Sequence, residues 1–284
     1  MFFELTTPQG PARIYAYTGG KAFDAAKPTA IFIHGVLCDH SVWALQSRYI
    51  ANHGWNVLAL DLPGHCKSGG TAPKAVEDAA AFIGQLMDEL PGDKGLQKAA
   101  LIGHSWGSLI AMEAAATLKD RISHLVLVGT AFPMKVSPAL LESALNTPEK
   151  AIAMVNTFSR ATLSPPNGAG SWVLGAGMAL GRRVLASNAD TNLLHAGFTA
   201  CDRYAGGEAA MTQITCPVLF VLGEQDQMTP PKAAKGLIAA AQAAGKTVKV
   251  QMIANGHNQM TESPDATLFA IHDFLTTSRT HPLP

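Results

Sequence analysis

Residues 99–102 form an uninterrupted apolar run, and a small-residue helical run from Trp106 to about Leu118 follows almost at once. Only Gly103-His104-Ser105-Trp106-Gly107 joins them. A chain that passes from a buried strand into a helix in so few residues must turn sharply, with the serine exposed at the apex and its backbone strained. Glycines at 103 and 107 remove the side chains that would collide there. The helix that opens after Ser105 aims its positive end at the same point, where negative charge would gather.

The flanking sequence repeats this alternation. Short antiparallel strands are expected at 2–5 and 13–17, followed by a buried strand at 29–33. A helix is expected at 41–52, with Ser41 as N-cap and Gly54 as stop. A strand at 56–60, a helix at 76–90, the Ser105 turn and a strand at 124–128 come next. After a gap the pattern resumes with a strand at 217–222, a helix at 231–244, a strand at 248–253 and a last helix at 261–277. Short turns between alternating elements predict an α/β fold: a mostly parallel sheet of about eight strands, flanked by helices on both faces. Between 132 and 207 no clean strand is legible. Helices at 139–144, 148–159 and 181–186 and a breaker-rich loop at 164–170 suggest a helical cap inserted over the sheet's C-terminal edge. The expected division is therefore a core of residues 1–131 and 208–284 and a cap of residues 132–207. Residues 280–284 are expected to fray.

Composition narrows the partners. Hydrophobic residues are 48% and charged residues 15%, as in a compact globular chain. Lys plus Arg and Asp plus Glu are both 21, so zero net charge offers no attraction to nucleic acid or to an anionic membrane. No apolar run has the length of a membrane span, and Met1-Phe2-Phe3-Glu4-Leu5 lacks a basic export segment. Cys38, Cys66, Cys201 and Cys216 show no paired spacing and are read as reduced thiols in a cytoplasmic protein. Cys38, Asp39, His40, His65 and Cys66 match no metal-binding spacing, so neither a metal nor a cofactor is expected.

A serine hydroxyl needs a base to become a nucleophile, and the base needs an acid to orient it. In parallel sheets both belong at the C-terminal ends of later strands. The segment after 217–222 is Gly223-Glu224-Gln225-Asp226, and the segment after 248–253 ends in Gly256-His257. Ser105, Asp226 and His257 are the candidate catalytic residues, with Glu224 the competitor for the acid. The backbone N–H groups of Trp106 and Val36 are the candidate oxyanion donors, with Gly35 allowing close approach. His34, Phe132, Met134 and Met228 are candidate substrate contacts, His34 also as a brace for the oxyanion loop. Met154 and Met178 are further candidates for an acyl pocket. Of Arg160, Arg182, Arg183 and Arg203, one is a candidate for meeting a substrate carboxylate.

Four signatures occur in order: His34-Gly35 with Trp43, Asp61-Leu62-Pro63-Gly64-His65, the Gly103–Gly107 turn, and Gly223-x-x-Asp226-x-x-Thr229-Pro230 followed by Gly256-His257. With them the chain resembles the α/β-hydrolase superfamily, nearest its capped esterase and dehalogenase-like branch. It departs from the pattern at Cys66, where similar proteins carry glycine. The resemblance implies an α/β-hydrolase fold, a nucleophile elbow and a Ser105–Asp226–His257 triad. Serine in place of aspartate excludes an alkyl-ester intermediate on a carboxylate. It leaves acyl transfer on a small-molecule ester, thioester or lactone, with carbon–carbon hydrolysis or cofactor-free perhydrolysis as alternatives. A non-catalytic receptor on the same fold is a third reading. The insertion, rich in Ala, Leu and Gly and poor in acids, suits a small or medium apolar acyl group, and its glycine-rich 168–181 stretch suggests a movable lid.

Overall fold

The computed structural model describes residues 1–7, 10–90, 95–161 and 169–277. The elements run β1 (Phe2–Thr7), β2 (Gly10–Tyr17), β3 (Thr29–Ile33), α1 (Ala44–Asn52), β4 (Asn56–Leu60), α2 (Val76–Glu89), β5 (Ala99–His104), α3 (Trp106–Leu118) and β6 (Ile122–Val128). They continue with α4 (Pro138–Asn146), α5 (Pro148–Phe158), α6 (Ala169–Ala186), α7 (Leu193–Arg203), α8 (Gly207–Gln213), β7 (Val218–Gly223), α9 (Lys235–Ala243), β8 (Val248–Ile253), α10 (Gln259–Glu262) and α11 (Pro264–Thr277).

The eight strands form one sheet in the order β1-β2-β4-β3-β5-β6-β7-β8. β1 and β2 pair antiparallel, as do β2 and β4, and all later pairs are parallel. Strands β3 to β7 are buried on both faces, which is why they read as apolar runs rather than alternating patterns. Ile31, Leu101, Leu125 and Phe220 point into a core shared with α2, α3, α8 and α9. Phe32, Ile102, Val126 and Val221 point the opposite way, into a core shared with α1 and α11. β8 is the outer strand, and Val250 and Met252 on it are exposed.

The chain inserts α4 to α8 between β6 and β7. Helices α4 to α7 have a small core of their own, built on Leu140, Ile152, Val184, Leu194 and Phe198, with Leu37 from the loop after β3. α8 instead packs on α3 and α9.

Three local readings change. The helical turn before α1 spans His40–Trp43, and its N-cap is Asp39, whose carboxylate accepts the Ser41 N–H at 2.9 Å, not Ser41 itself. Glycine-rich 169–186 is a single 18-residue helix. Its glycine content argues against a helix, but the tight packing available only to glycine outweighs propensity. Leu193–Arg203 is also a helix, N-capped by Asn192 through the His195 N–H. The breaker-rich loop expected at 164–170 lies mostly outside the described residues, as does the tail 280–284.

Candidate active site

Ser105 sits between β5 and α3 with φ 53° and ψ −121°, a strained conformation for a residue with a side chain. Its N–H donates to the Val128 carbonyl at 2.9 Å, which ties the turn to β6. A Cβ on Gly103 would overlap the Gly107 carbonyl, and a Cβ on Gly107 would overlap the Ile33 carbonyl. The two glycines are therefore required by the backbone of the turn and of β3.

Asp226 and His257 stand beyond the ends of β7 and β8. The His257 Nδ1–H donates to Asp226 Oδ2 at 2.8 Å, and both residues are buried. This bond leaves the lone pair on Nε2, the nitrogen a base would use. Asp226 also accepts the N–H groups of Met228 and Thr229, each at 2.8 Å, and the Thr229 hydroxyl at 2.7 Å. Burial pushes the Asp226 carboxyl up, but His257 and the Thr229 hydrogen bonds more than offset it and hold the carboxyl at about 2. Thr229 Oγ1 lies 3.0 Å from His257 Nδ1, so this hydroxyl touches both partners. Sequence reasoning placed Thr229 in a signature without giving it a role. Its signal was the spacing: three residues after the acid, in a turn that folds back on it. Glu224, the competing acid, is exposed.

His257 is held from two further sides. Its N–H donates to the Ser159 carbonyl at 2.9 Å. Its own carbonyl accepts the His104 Nε2–H at 2.9 Å. His104 is buried, and that burial, with His257 beside it, pushes its imidazole down to about 3, so it is neutral.

The two expected oxyanion donors, the N–H groups of Trp106 and Val36, belong to segments on either side of Ser105. Trp106 is the first residue of α3, whose N–H has no partner within the helix. Gly35 brings its loop against Ser105: a Cβ there would lie 3.1 Å from the Ser105 Cβ. His34 is fully buried; its Nε2 accepts the Leu62 N–H at 3.2 Å and its Nδ1–H donates to the Gly35 carbonyl at 2.8 Å. That carbonyl belongs to the same planar peptide as the Val36 N–H, so His34 fixes the direction in which Val36 donates.

Ser105, His104 and His257 line a cavity of about 500 Å³. Its apolar wall includes Val36, Leu37, Val42, Val155, Leu180 and Met260. No hydrogen bond joins Ser105 to His257 among the described contacts; in free enzymes such bonds often close only on substrate. Cys38 also lines the cavity, but burial pushes its thiol up to about 12, so it is no rival nucleophile. The cavity is not lined by His34, Phe132, Met134, Met228, Met154 or Met178. Phe132 packs edge-on against Tyr204, Met134 is in the core under α3, and the Met228 N–H serves Asp226. Met154 and Met178 pack into the core of the insertion.

Among the described residues, Asp39, His40 and Asp61 could hold a metal ion by proximity. These groups are engaged with one another and with a cation: His40 donates to Asp61 at 2.7 Å, and Asp39 receives Arg183 at 2.6 Å. Of the cysteines and histidines considered from sequence, only His40 belongs to this group.

Residues 30–270 match the profile of the Alpha/beta hydrolase family. The chain belongs to that family. Among solved structures, the enol-lactonase of Burkholderia xenovorans superposes with a TM-score of 0.78 at 22% identity over 93% of this chain and 97% of that one. The dihydrolipoyllysine-residue acetyltransferase component of the acetoin cleaving system of Cupriavidus necator is 34% identical over 115 residues, 40% of this chain and 28% of that protein. The pimeloyl-[acyl-carrier protein] methyl ester esterase of Aliivibrio fischeri is 31% identical over 126 residues, 44% of this chain and 42% of that protein. These matches span less than half the length of either curated relative.

Proposed function

We propose that this protein is a serine hydrolase of small or medium carboxylic esters or lactones. The observation that carries the reading is the buried Asp226–His257 pair opening with Ser105 into one largely apolar cavity. Ser105 Oγ attacks the acyl carbon while His257 Nε2 takes its proton. The oxyanion that forms is received by the N–H groups of Trp106 and Val36. His257 then protonates the leaving alcohol, and water, deprotonated by His257 in turn, releases the acid from Ser105. Asp226 holds the imidazole in its tautomer and stabilises the imidazolium. Helices α4 to α7, within residues 132–207, act as the cap that closes the cavity. Family membership and the esterase and lactonase names of similar proteins support this choice of chemistry.

The test is hydrolysis of p-nitrophenyl esters of graded acyl length. Ser105→Ala is expected to lower kcat/KM by at least about 10³-fold. A fluorophosphonate is expected to add one adduct, located on Ser105 by peptide mass analysis. Equal rates for wild type and Ser105→Ala, with no adduct, would overturn the reading.

A further inference from the structure

Two of the arginines considered from sequence, Arg160 and Arg183, line the Ser105 cavity, and no Asp or Glu is among its described lining residues. The other two do not line it, and Arg182 pairs with Glu149 on the surface. An apolar acyl group gives no reason for guanidinium groups in this wall. Arg160 is half-buried there, and burying a guanidinium costs solvation that a neutral ligand does not return, whereas Arg183 is exposed and pairs with Asp39.

Both arginines are placed by the machinery around them. Arg160 follows Ser159, whose carbonyl accepts the N–H groups of His257 and Asn258 at 2.9 and 3.0 Å. A Cβ on Gly256 would lie 2.9 Å from the Arg160 Cα, so Arg160 abuts the His257 loop. Arg183, on α6, donates from Nη2 to Asp39 at 2.6 Å, in the loop that carries Val36. Among the described residues, the carboxylates beside the arginines, Glu262 and Asp39, stand outside the lining and also accept backbone N–H groups. Glu262, which acts on Arg160, accepts the N–H groups of Ala161, Gly256 and Asn258 at 2.9, 3.2 and 3.2 Å. Asp39 accepts both the N–H and the hydroxyl of Ser41 besides Arg183. Burial pushes the Arg160 guanidinium down from its ordinary value, as expected of a cation set in an apolar wall.

We propose that the substrate carries, besides its scissile ester or lactone, a free carboxylate that Arg160 and Arg183 receive. The class is the monoesters and lactones of short dicarboxylic acids. This deepens the serine-hydrolase reading and rests on it for where the scissile bond lies. Charge-assisted, forked hydrogen bonds to a carboxylate are among the stronger polar contacts, and the apolar surroundings strengthen them.

The test compares mono-p-nitrophenyl glutarate with p-nitrophenyl pentanoate. Wild type is expected to favour the glutarate by at least about tenfold in kcat/KM. The ratio is expected to fall about tenfold in Arg160→Gln and to be partly kept in Arg160→Lys. Arg183→Gln would strand buried Asp39, so the Asp39→Asn/Arg183→Gln double variant is measured instead, with the same fall expected. Binding is read independently by calorimetry on Ser105→Ala, with mono-methyl glutarate against methyl pentanoate. The glutarate is expected to bind more tightly, and adding Arg160→Gln is expected to remove the difference. No preference in wild type, or a preference untouched in both arginine variants, overturns the proposal while leaving ester hydrolysis standing. If neither ester is cleaved, the hydrolase reading fails, and the calorimetric difference alone decides whether the cavity is an anion site.

Discussion

At the residue scale the proposed catalytic constellation rests on side chains outside the Ser105 cavity. Thr229 donates to Asp226 and lies against His257 Nδ1, so it sets where the carboxylate stands relative to the imidazole. Thr229→Val keeps the shape and removes the hydroxyl. It is expected to lower kcat about tenfold with little change in KM, since a hydrogen bond to a charged group contributes about 1.5–3 kcal/mol. Unchanged kcat in that variant would show that the two backbone N–H groups on Asp226 suffice. The positions of Asp226, His257 and Ser105 were each legible in the sequence because they follow strand ends. The role of Thr229 was not, because it depends on a turn folding back on its own first residue.

At the element scale two glycines in similar company have opposite meanings. A Cβ on Gly107 would strike the backbone at Ile33 and His34, and neither strand nor turn can yield. Gly107→Ala is expected to cost at least about 2 kcal/mol of stability, read from the urea midpoint, because overpacking into backbone has no cheap relaxation. Gly175 lies within α6, exposed, with nothing within 4 Å of an added Cβ. Gly175→Ala is expected to raise stability by about 0.5–1 kcal/mol, since alanine loses less entropy in a helix. The glycine-rich stretch that the sequence offered as a movable lid is thus helical from 169 onwards. Glycine at 177 and 181 lets that helix lie close on Asn156, Ile152 and Leu37, a use indistinguishable from flexibility until the neighbours are known.

At the scale of the whole molecule, buried titratable groups couple folding to pH. Burial, with His34 nearby, pushes His65 down to about 3, as burial and His257 do for His104. Unfolded histidine takes a proton near pH 6.5, and these two do so only near pH 3. Between those values the unfolded chain holds more protons, so stability falls as pH falls. Asp226 and Asp39 are held at about 2 against an ordinary 3.8, and their contribution, complete above that ordinary value, is lost as pH falls towards 2. The urea midpoint is therefore expected to decline from pH 7 to pH 4 and more steeply below. A midpoint that is flat between pH 7 and pH 4.5 would contradict neutral burial of the two histidines.

The parallel sheet and the strand ends that carry Ser105, Asp226 and His257 followed from the sequence alone. Apolar runs buried on two faces and glycines pressed against backbone are local constraints, written in consecutive residues. The cavity wall was decided only in three dimensions. Phe132 and Met134 have suitable chemistry, yet they pack into or against the core, and Met228 does not line the cavity. Arg160 and Arg183 reach the cavity because α5, α6 and the loop after β3 converge there, and no spacing along the chain encodes a meeting of segments so far apart.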